Sequence, residues 1–313
     1  MRWRLKAAIQ RSIARLPRTL GDRAYYALQA TFGQLRTIRP LSRIERAAEV
    51  LRRANTPVRR AIEIGTGWVP VAPITLWLAG ADEVLSVDLN RYLKDELTMQ
   101  AVRWMRANRG LVEAALGDVA TDFDARFTEL RSIQSATDLY ERIRFRYLAP
   151  ADAQALPVPD GWADLHFSIT VLEHVPVKAI RRILAEGRRC TRPGGTLVHF
   201  IDPSDHFSHS DPTITTVNFL RFSDAEWERL AGNRFAFHNR LRLCDYESIW
   251  ADRDARITSV VDETAVAALE GGLIPLAGRD PRRIAALEVR VAEPIKAPVT
   301  PERGDDFPPC TET

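Results

Sequence analysis

The 313-residue sequence is short of sulfur. Its three cysteines, Cys190, Cys244 and Cys310, are odd in number and far apart, and no CxxC pair occurs. That spacing leaves no zinc or dithiol-redox arrangement and fits a reducing, cytoplasmic setting. Long apolar runs are missing too. None approaches the roughly 20 residues that span a bilayer, and arginines occupy the N-terminus where a secretory leader needs an apolar core. A soluble protein is expected. No GxxxxGK[ST] loop is present, and the glycine turn at Gly65 and Gly67 has Pro70 where a GxGxxG fingerprint needs its last glycine. A phosphate-cradling loop is therefore excluded and a dinucleotide site disfavoured. There is no internal repeat or low-complexity tract.

What is present is enough for one large α/β core with additions, since 45% of the residues are apolar and 27% charged. The net charge of +3 conceals an asymmetry. Residues 1–60 hold fifteen Lys or Arg against three acids, an excess of twelve, so residues 61–313 carry −9. Within this basic segment Leu5, Ile9, Ile13, Leu16 and Leu20 recur at helical spacing, with Arg2, Lys6, Arg11, Arg15 and Arg18 on other faces and Pro17 ending or bending the helix. Two readings stay open: peripheral contact of residues 1–20 with an anionic membrane, at the inner face of the cell membrane, or a helix that caps the core with its charges in water.

Further helices are expected over 24–32, 44–54, 91–107 and 177–190, and strands over 61–64, 83–87, 143–148, 163–169, 196–201, 257–261 and 284–291. Repeated βαβ order predicts a doubly wound, mostly parallel seven-stranded sheet. The division is a basic helical extension (1–55), a core domain (56–293) with insertions at 108–142 and 202–250, and a flexible tail (294–313). The first insertion is expected to lie over the ligand cleft.

The stretch Ala61 to Asn90 organises the rest. It reads as strand, glycine turn, helix, strand, with Asp88 closing the second strand. A nucleoside-shaped ligand lies across the carboxyl ends of such strands. Glu63, just before the turn, repels a diphosphate and attracts a cationic amine. Together with Glu63-Ile64-Gly65-Thr66-Gly67-Trp68-Val69, Asp88, Asp152-Ala153, Ser168 to Val175 (SITVLEHV) and Arg192-Pro193-Gly194-Gly195 form five motifs in order across residues 61–201. In these motifs the sequence resembles the class I S-adenosylmethionine-dependent methyltransferases, in the group with the Leu-Glu-His-Val signature, and more loosely bacterial methyltransferases of surface-glycan and natural-product pathways. The resemblance implies a Rossmann-like methyltransferase fold with S-adenosyl-L-methionine as cofactor. It implies cofactor contacts from Glu63, Gly65, Thr66 and Gly67, ribose binding by Asp88 beside Leu89, adenine contact at Asp152 and Ala153, and a methionine end lined by Ser168 and Ile169. The departure is Val69, where the third glycine of the family's turn usually stands. A Cβ there restricts φ > 0 and narrows the backbone's approach to a ligand.

Methyl transfer to a hydroxyl needs alignment and a base. His174 follows the fourth strand, and Asp202 to His209 follows the fifth, so the candidates are His206, then His174 and His209, with Asp202 and Asp205 as acids able to fix a tautomer. Asp202, Asp205, His206, His209 and Asp211 are spaced too irregularly for a dedicated metal site, and no metal is expected. Asn218, Arg221, Asn239, Arg240 and Arg242 fall in the second insertion, where they suit an anionic group on the acceptor or pair as surface charges. His166 and His199 sit inside strands and read as core. The acidic core, the absence of a stacking platform and the absence of the Asn/Asp-Pro-Pro-Tyr/Phe motif after the fourth strand speak against nucleic acid. The expected reaction is methylation of a hydroxyl oxygen on a small-molecule, saccharide or lipid-linked acceptor. The rivals are a non-catalytic nucleoside-binding regulator, which Val69 keeps open, and a nicotinamide oxidoreductase.

Overall fold

The computed structural model describes residues 1–296 apart from Gln34, Arg39 and Ala277; the tail beyond 296 lies outside the described residues. Three helices lead in: α1 (Trp3–Ala14), α2 (Arg18–Phe32) and α3 (Leu41–Arg52). The core then alternates β1 (Arg60–Ile64), α4 (Val71–Ala79), β2 (Glu83–Val87), α5 (Asp95–Ala107), α6 (Arg109–Leu116), α7 (Phe123–Ser132), α8 (Ala136–Arg142), β3 (Phe145–Leu148), β4 (Ala163–Ile169), α9 (Val177–Cys190) and β5 (Thr191–Ile201). After a long insertion carrying α10 (Asp224–Ala231) and α11 (Leu243–Ile249) come β6 (Arg256–Val261), α12 (Glu263–Glu270), α13 (Pro281–Ile284) and β7 (Ala286–Pro294).

The seven strands lie in the order β3-β2-β1-β4-β5-β7-β6, parallel except that β7 runs antiparallel to both neighbours. Strand order reverses between β1 and β4, which opens a crevice at their carboxyl ends. The central strands are buried on both faces, so their sequences are continuous apolar runs instead of alternating ones. Helix α4 is buried along its whole length, which is why its sequence, VAPITLWLA, shows no polar face.

The first insertion corrects an expectation. Helices α6, α7 and α8 pack on α3, α4 and α5, and Arg126 of α7 donates to the carbonyls of Trp77 (2.7 Å) and Ala81 at the end of α4. An α-to-β turn lies at the amino edge of a parallel sheet, so this insertion braces the edge opposite the crevice and does not roof it. The roof comes from α1, α2 and residues 202–242.

Helix α1 docks on that second insertion by a face other than the expected one. Trp3, Ala7 and Gln10 are its buried residues, while Leu5, Leu16 and Leu20 are exposed. Trp3 packs among Phe207, Phe222 and Trp227 with ring centroids 5.7–5.9 Å apart, and its backbone N–H donates to Asp211 Oδ2 at 2.7 Å. An indole buries more area than any leucine of the stripe, and that decides the docked face. The tail also starts later than expected: Pro294 pairs with Thr196, and Ile295 N–H donates to the Gly195 carbonyl at 2.9 Å.

Candidate active site

Two cavities of about 480 Å³ each lie side by side at the carboxyl ends of β1, β4 and β5. Both fall within the range of small-molecule sites, roughly 300–1,000 Å³. The inner one is lined by Glu63, Gly65, Thr66, Gly67, Trp68, Ile169 and Thr170; the outer one by Tyr25, Phe32, Phe207, Phe219, Trp227 and Phe235 with Lys6 and Gln10. Arg43, Trp68, His174, His206 and His209 belong to both and form the wall between them.

The turn after β1 places Gly65 at φ 83° and Gly67 at φ 69°, conformations that glycine adopts without cost. A Cβ on Gly65 would collide with Val171, whereas one on Gly67 would meet nothing within 4 Å, so the backbone at Gly67 is bare toward the crevice. Val69 is buried and is not among the described residues with positive φ. The two glycines supply the whole turn, and Val69 enters α4 without strain. Thr170, closing β4 at φ 55°, does carry strain and lines the inner cavity, as backbone outliers at functional sites often do.

Two buried carboxylates flank the turn. Glu63 accepts from the hydroxyls of Thr66 and Ser86, and burial pushes its pKa up to about 7 against those two hydrogen bonds. Asp88 Oδ2 accepts from the Gly67 N–H at 3.0 Å and from the Tyr147 hydroxyl at 2.9 Å, and burial raises it to about 6. The other expected cofactor residues differ in placement. Ile169 faces the inner cavity, but the Ser168 hydroxyl is turned away onto His199 Nδ1 at 2.9 Å and is fully buried. Leu89 stands exposed at the rim. Asp152 is exposed, its carboxylate held by Gln154 N–H at 2.9 Å, while Ala153 is buried in the apolar layer behind. Its loop is nonetheless tied to the end of β2, because Ala151 N–H donates to the Asp88 carbonyl at 2.9 Å.

The wall between the cavities collects four of the six histidines. The ring of His206 lies 4.9 Å from His174, 5.0 Å from His209 and 4.9 Å from His238. Asp202 Oδ2 is 3.5 Å from His206 Nε2 and 3.6 Å from His209 Nε2. Burial pushes Asp202 up, but His206 and the hydrogen bonds from Ser204 outweigh it and hold the acid below its ordinary range. His238 is pushed well below 6.5 by burial and by His206 and His174, so it stays neutral. Two expected members face elsewhere. Asp205 accepts from Phe207 N–H and Asn218 Nδ2, and Asp211 from Trp3 N–H and Thr213. The insertion's arginines are spent on the protein as well: Arg240 on Phe222 and Asp224, Arg242 on Pro203 and Ile284. His166 and His199 are fully buried in the sheet.

Residues 118–199 match the family described as methyltransferase domain. Over that stretch the chain is similar to a methyltransferase domain. No curated protein matches the sequence. Solved structures of similar shape include the Haemonchus contortus phosphoethanolamine N-methyltransferase 2 in complex with S-adenosyl-L-methionine, at 14% identity and TM-score 0.45, covering 80% of this chain and 52% of that one. This chain thus spans about half of that protein's length. The PH0226 protein of Pyrococcus horikoshii aligns over 87% of this chain and 98% of its own at 14% identity and TM-score 0.46. A geranyl diphosphate methyltransferase in complex with the same cofactor covers 82% and 85% at 13% identity and TM-score 0.43.

The inner cavity fits the cofactor's chemistry: a bare glycine backbone, a buried carboxylate at the end of β2 and an acid beneath the turn. Tyr147, Arg43 and His238 are members of the site that sequence reading missed. The one signal that marked any of them was the scarcity of histidine itself.

Proposed function

We propose that the chain methylates a hydroxyl oxygen of a small-molecule or saccharide acceptor with an aromatic or otherwise flat apolar face. The carrying observation is the histidine wall, which stands between a cavity suited to the cofactor and a second cavity lined with aromatic rings. An amine held neutral needs no base for methyl transfer, whereas a hydroxyl must give up its proton.

In this reading Asp88 receives the ribose hydroxyls, the backbone at Gly65 and Gly67 approaches the cofactor, Glu63 attracts its ammonium group, and Arg43 faces its carboxylate. When bound, S-adenosylmethionine supplies a methyl group on positively charged sulfur. Trp68, packed at a tilt between Tyr26 at 5.2 Å and Tyr92 at 4.8 Å, holds the gate between the two ligands. His206 and His209, each beside Asp202, are the groups that take the hydroxyl proton, and Asp202 stabilises the imidazolium that results. The reading extends to acceptor delivery. Exposed Leu5, Leu16 and Leu20 flanked by arginines support contact with an anionic membrane, from which a lipid-linked acceptor would enter.

The test is incubation with methyl-labelled S-adenosylmethionine and panels of phenols, glycans and amines. Label is expected in an O-methyl product, with the rate falling by about 10²- to 10⁴-fold in His206→Ala/His209→Ala. Label recovered on nitrogen would refute the hydroxyl reading.

A further inference from the structure

Glu173 ends up in a place where a carboxylate does not belong. Its side chain is sealed from solvent, and neither carboxylate oxygen has a hydrogen-bond partner among the described residues. His206 Nε2 is likewise shielded from solvent and makes no hydrogen bond, its nearest acid being Asp202 Oδ2 at 3.5 Å. His174 donates its Nδ1–H to the Phe237 carbonyl at 2.8 Å, which leaves the lone pair of Nε2 free. Ligand atoms of these three residues lie within 4.8 Å of one another. Donors around a first-row ion at about 2.0–2.2 Å stand roughly 3–4 Å apart, so shifts on the order of an ångström close the set.

We propose that Glu173, His174 and His206 bind a divalent first-row transition-metal ion in the wall between the two cavities. Two imidazoles and a carboxylate suit manganese, iron, cobalt or zinc better than magnesium or calcium. Asp202, 3.5 Å from His206 Nε2, supplies a second negative charge and makes the filled site neutral. The surroundings are built to hold the donors. Asn239 clamps the Glu173 turn, its N–H donating to the Glu173 carbonyl at 2.8 Å and its side chain to the carbonyls of Leu172 (2.8 Å) and Val175 (3.0 Å). A backbone carbonyl on the far nitrogen of a metal-binding histidine, as at His174, is the usual bracing. His238 is not a ligand, since Nε2 donates to the Asp202 carbonyl and Nδ1 accepts from Arg240 N–H.

The set was invisible as spacing because its members come from two segments 32 residues apart, the turn after β4 and the loop after β5. The acids that crowd His206 in sequence, Asp205 and Asp211, point away from it. With His206 engaged by the ion, His209 is the histidine left to take a proton. An acceptor oxygen reaching from the outer cavity would meet the ion, which lowers that oxygen's pKa. This last role rests on the hydroxyl reading; binding of the ion does not.

The full-length protein, stripped with chelator and dialysed against cobalt(II), manganese(II) or zinc(II), should take up about one ion per chain by elemental analysis. Cobalt should give visible absorption bands with imidazole ligation. Glu173→Gln and His174→Ala should each weaken uptake by about 10- to 100-fold, while His209→Ala retains the ion. Retention of S-adenosylhomocysteine binding in each variant shows that it is folded. Uptake below a tenth of an ion per chain in the wild type, or uptake unchanged in both ligand variants, would overturn the site. Metal uptake without O-methylation would instead sink the hydroxyl reading and leave the site standing.

Discussion

Tyr147 donates its hydroxyl to Asp88 Oδ2 at 2.9 Å, across from β3 to the end of β2, on the same oxygen that takes the Gly67 amide. Burial alone would hold Asp88 protonated further up the pH scale, and these two donors bring it back to about 6. Cofactor affinity should therefore fall as pH drops below about 6, beyond the change that Glu63 brings near pH 7, because only the ionised Asp88 accepts from both ribose hydroxyls. In Tyr147→Phe one charge-assisted hydrogen bond is lost, worth about 1.5–3 kcal/mol. The midpoint of the pH profile should rise by about one unit or more. Titration calorimetry with S-adenosylhomocysteine from pH 5 to 8 measures both effects.

Glu63 makes the unliganded protein less stable as pH rises. Its folded pKa is about 7 against an ordinary value of 4.5, with burial as the main cause. Between those values the folded state binds more protons than the unfolded one, so stability falls with rising pH through that window. The loss is on the order of 3 kcal/mol by pH 8. Glu63→Gln should raise the melting temperature of the free protein at pH 8, leave it little changed near pH 4.5, and weaken cofactor binding. Thermal unfolding across that range reads the difference.

Trp3 ties the N-terminal helix to the roof of the outer cavity. Trp3→Ala removes a buried indole from three ring contacts and should cost about 3–5 kcal/mol of local stability. The outer cavity should suffer and the inner one should not. Acceptor KM is expected to rise, with S-adenosylhomocysteine affinity within twofold of wild type.

The exposed leucines of the N-terminal segment, Leu5 in α1, Leu16 after it and Leu20 in α2, test the membrane part of the reading. Replacing Leu5, Leu16 and Leu20 with glutamate should abolish co-sedimentation with anionic vesicles and leave the melting temperature within a few degrees, because these side chains are largely exposed. Equal sedimentation of wild type and variant would assign the helix to the roof alone.

The first βαβ unit was legible because it is local. Strand, glycine turn, helix and Asp88 fall within thirty residues, and the periodicity that marks them also fixes their place in a parallel sheet. Ser168 was misplaced by the alternation of a strand: Ser168 and Ile169 point to opposite faces, and on a strand buried on both sides nothing in the residues says which face meets the crevice. Tyr147, Arg43 and His238 were not legible because each reaches the site across a sheet or an insertion. Val69 looked like a flaw because the family's third glycine was taken to need a positive φ; here two glycines suffice.

The central claim is a cofactor cleft organised by Asp88 beneath the Gly65–Gly67 turn. Titration calorimetry of the wild type and Asp88→Ala with S-adenosylmethionine at pH 7.5 tests it most directly. The expected result is one site per chain in the wild type and affinity lower by tenfold or more in Asp88→Ala, with a cooperative thermal transition in both proteins showing that each is folded. Absence of binding in the folded wild type, or equal affinity in the two proteins, would contradict it.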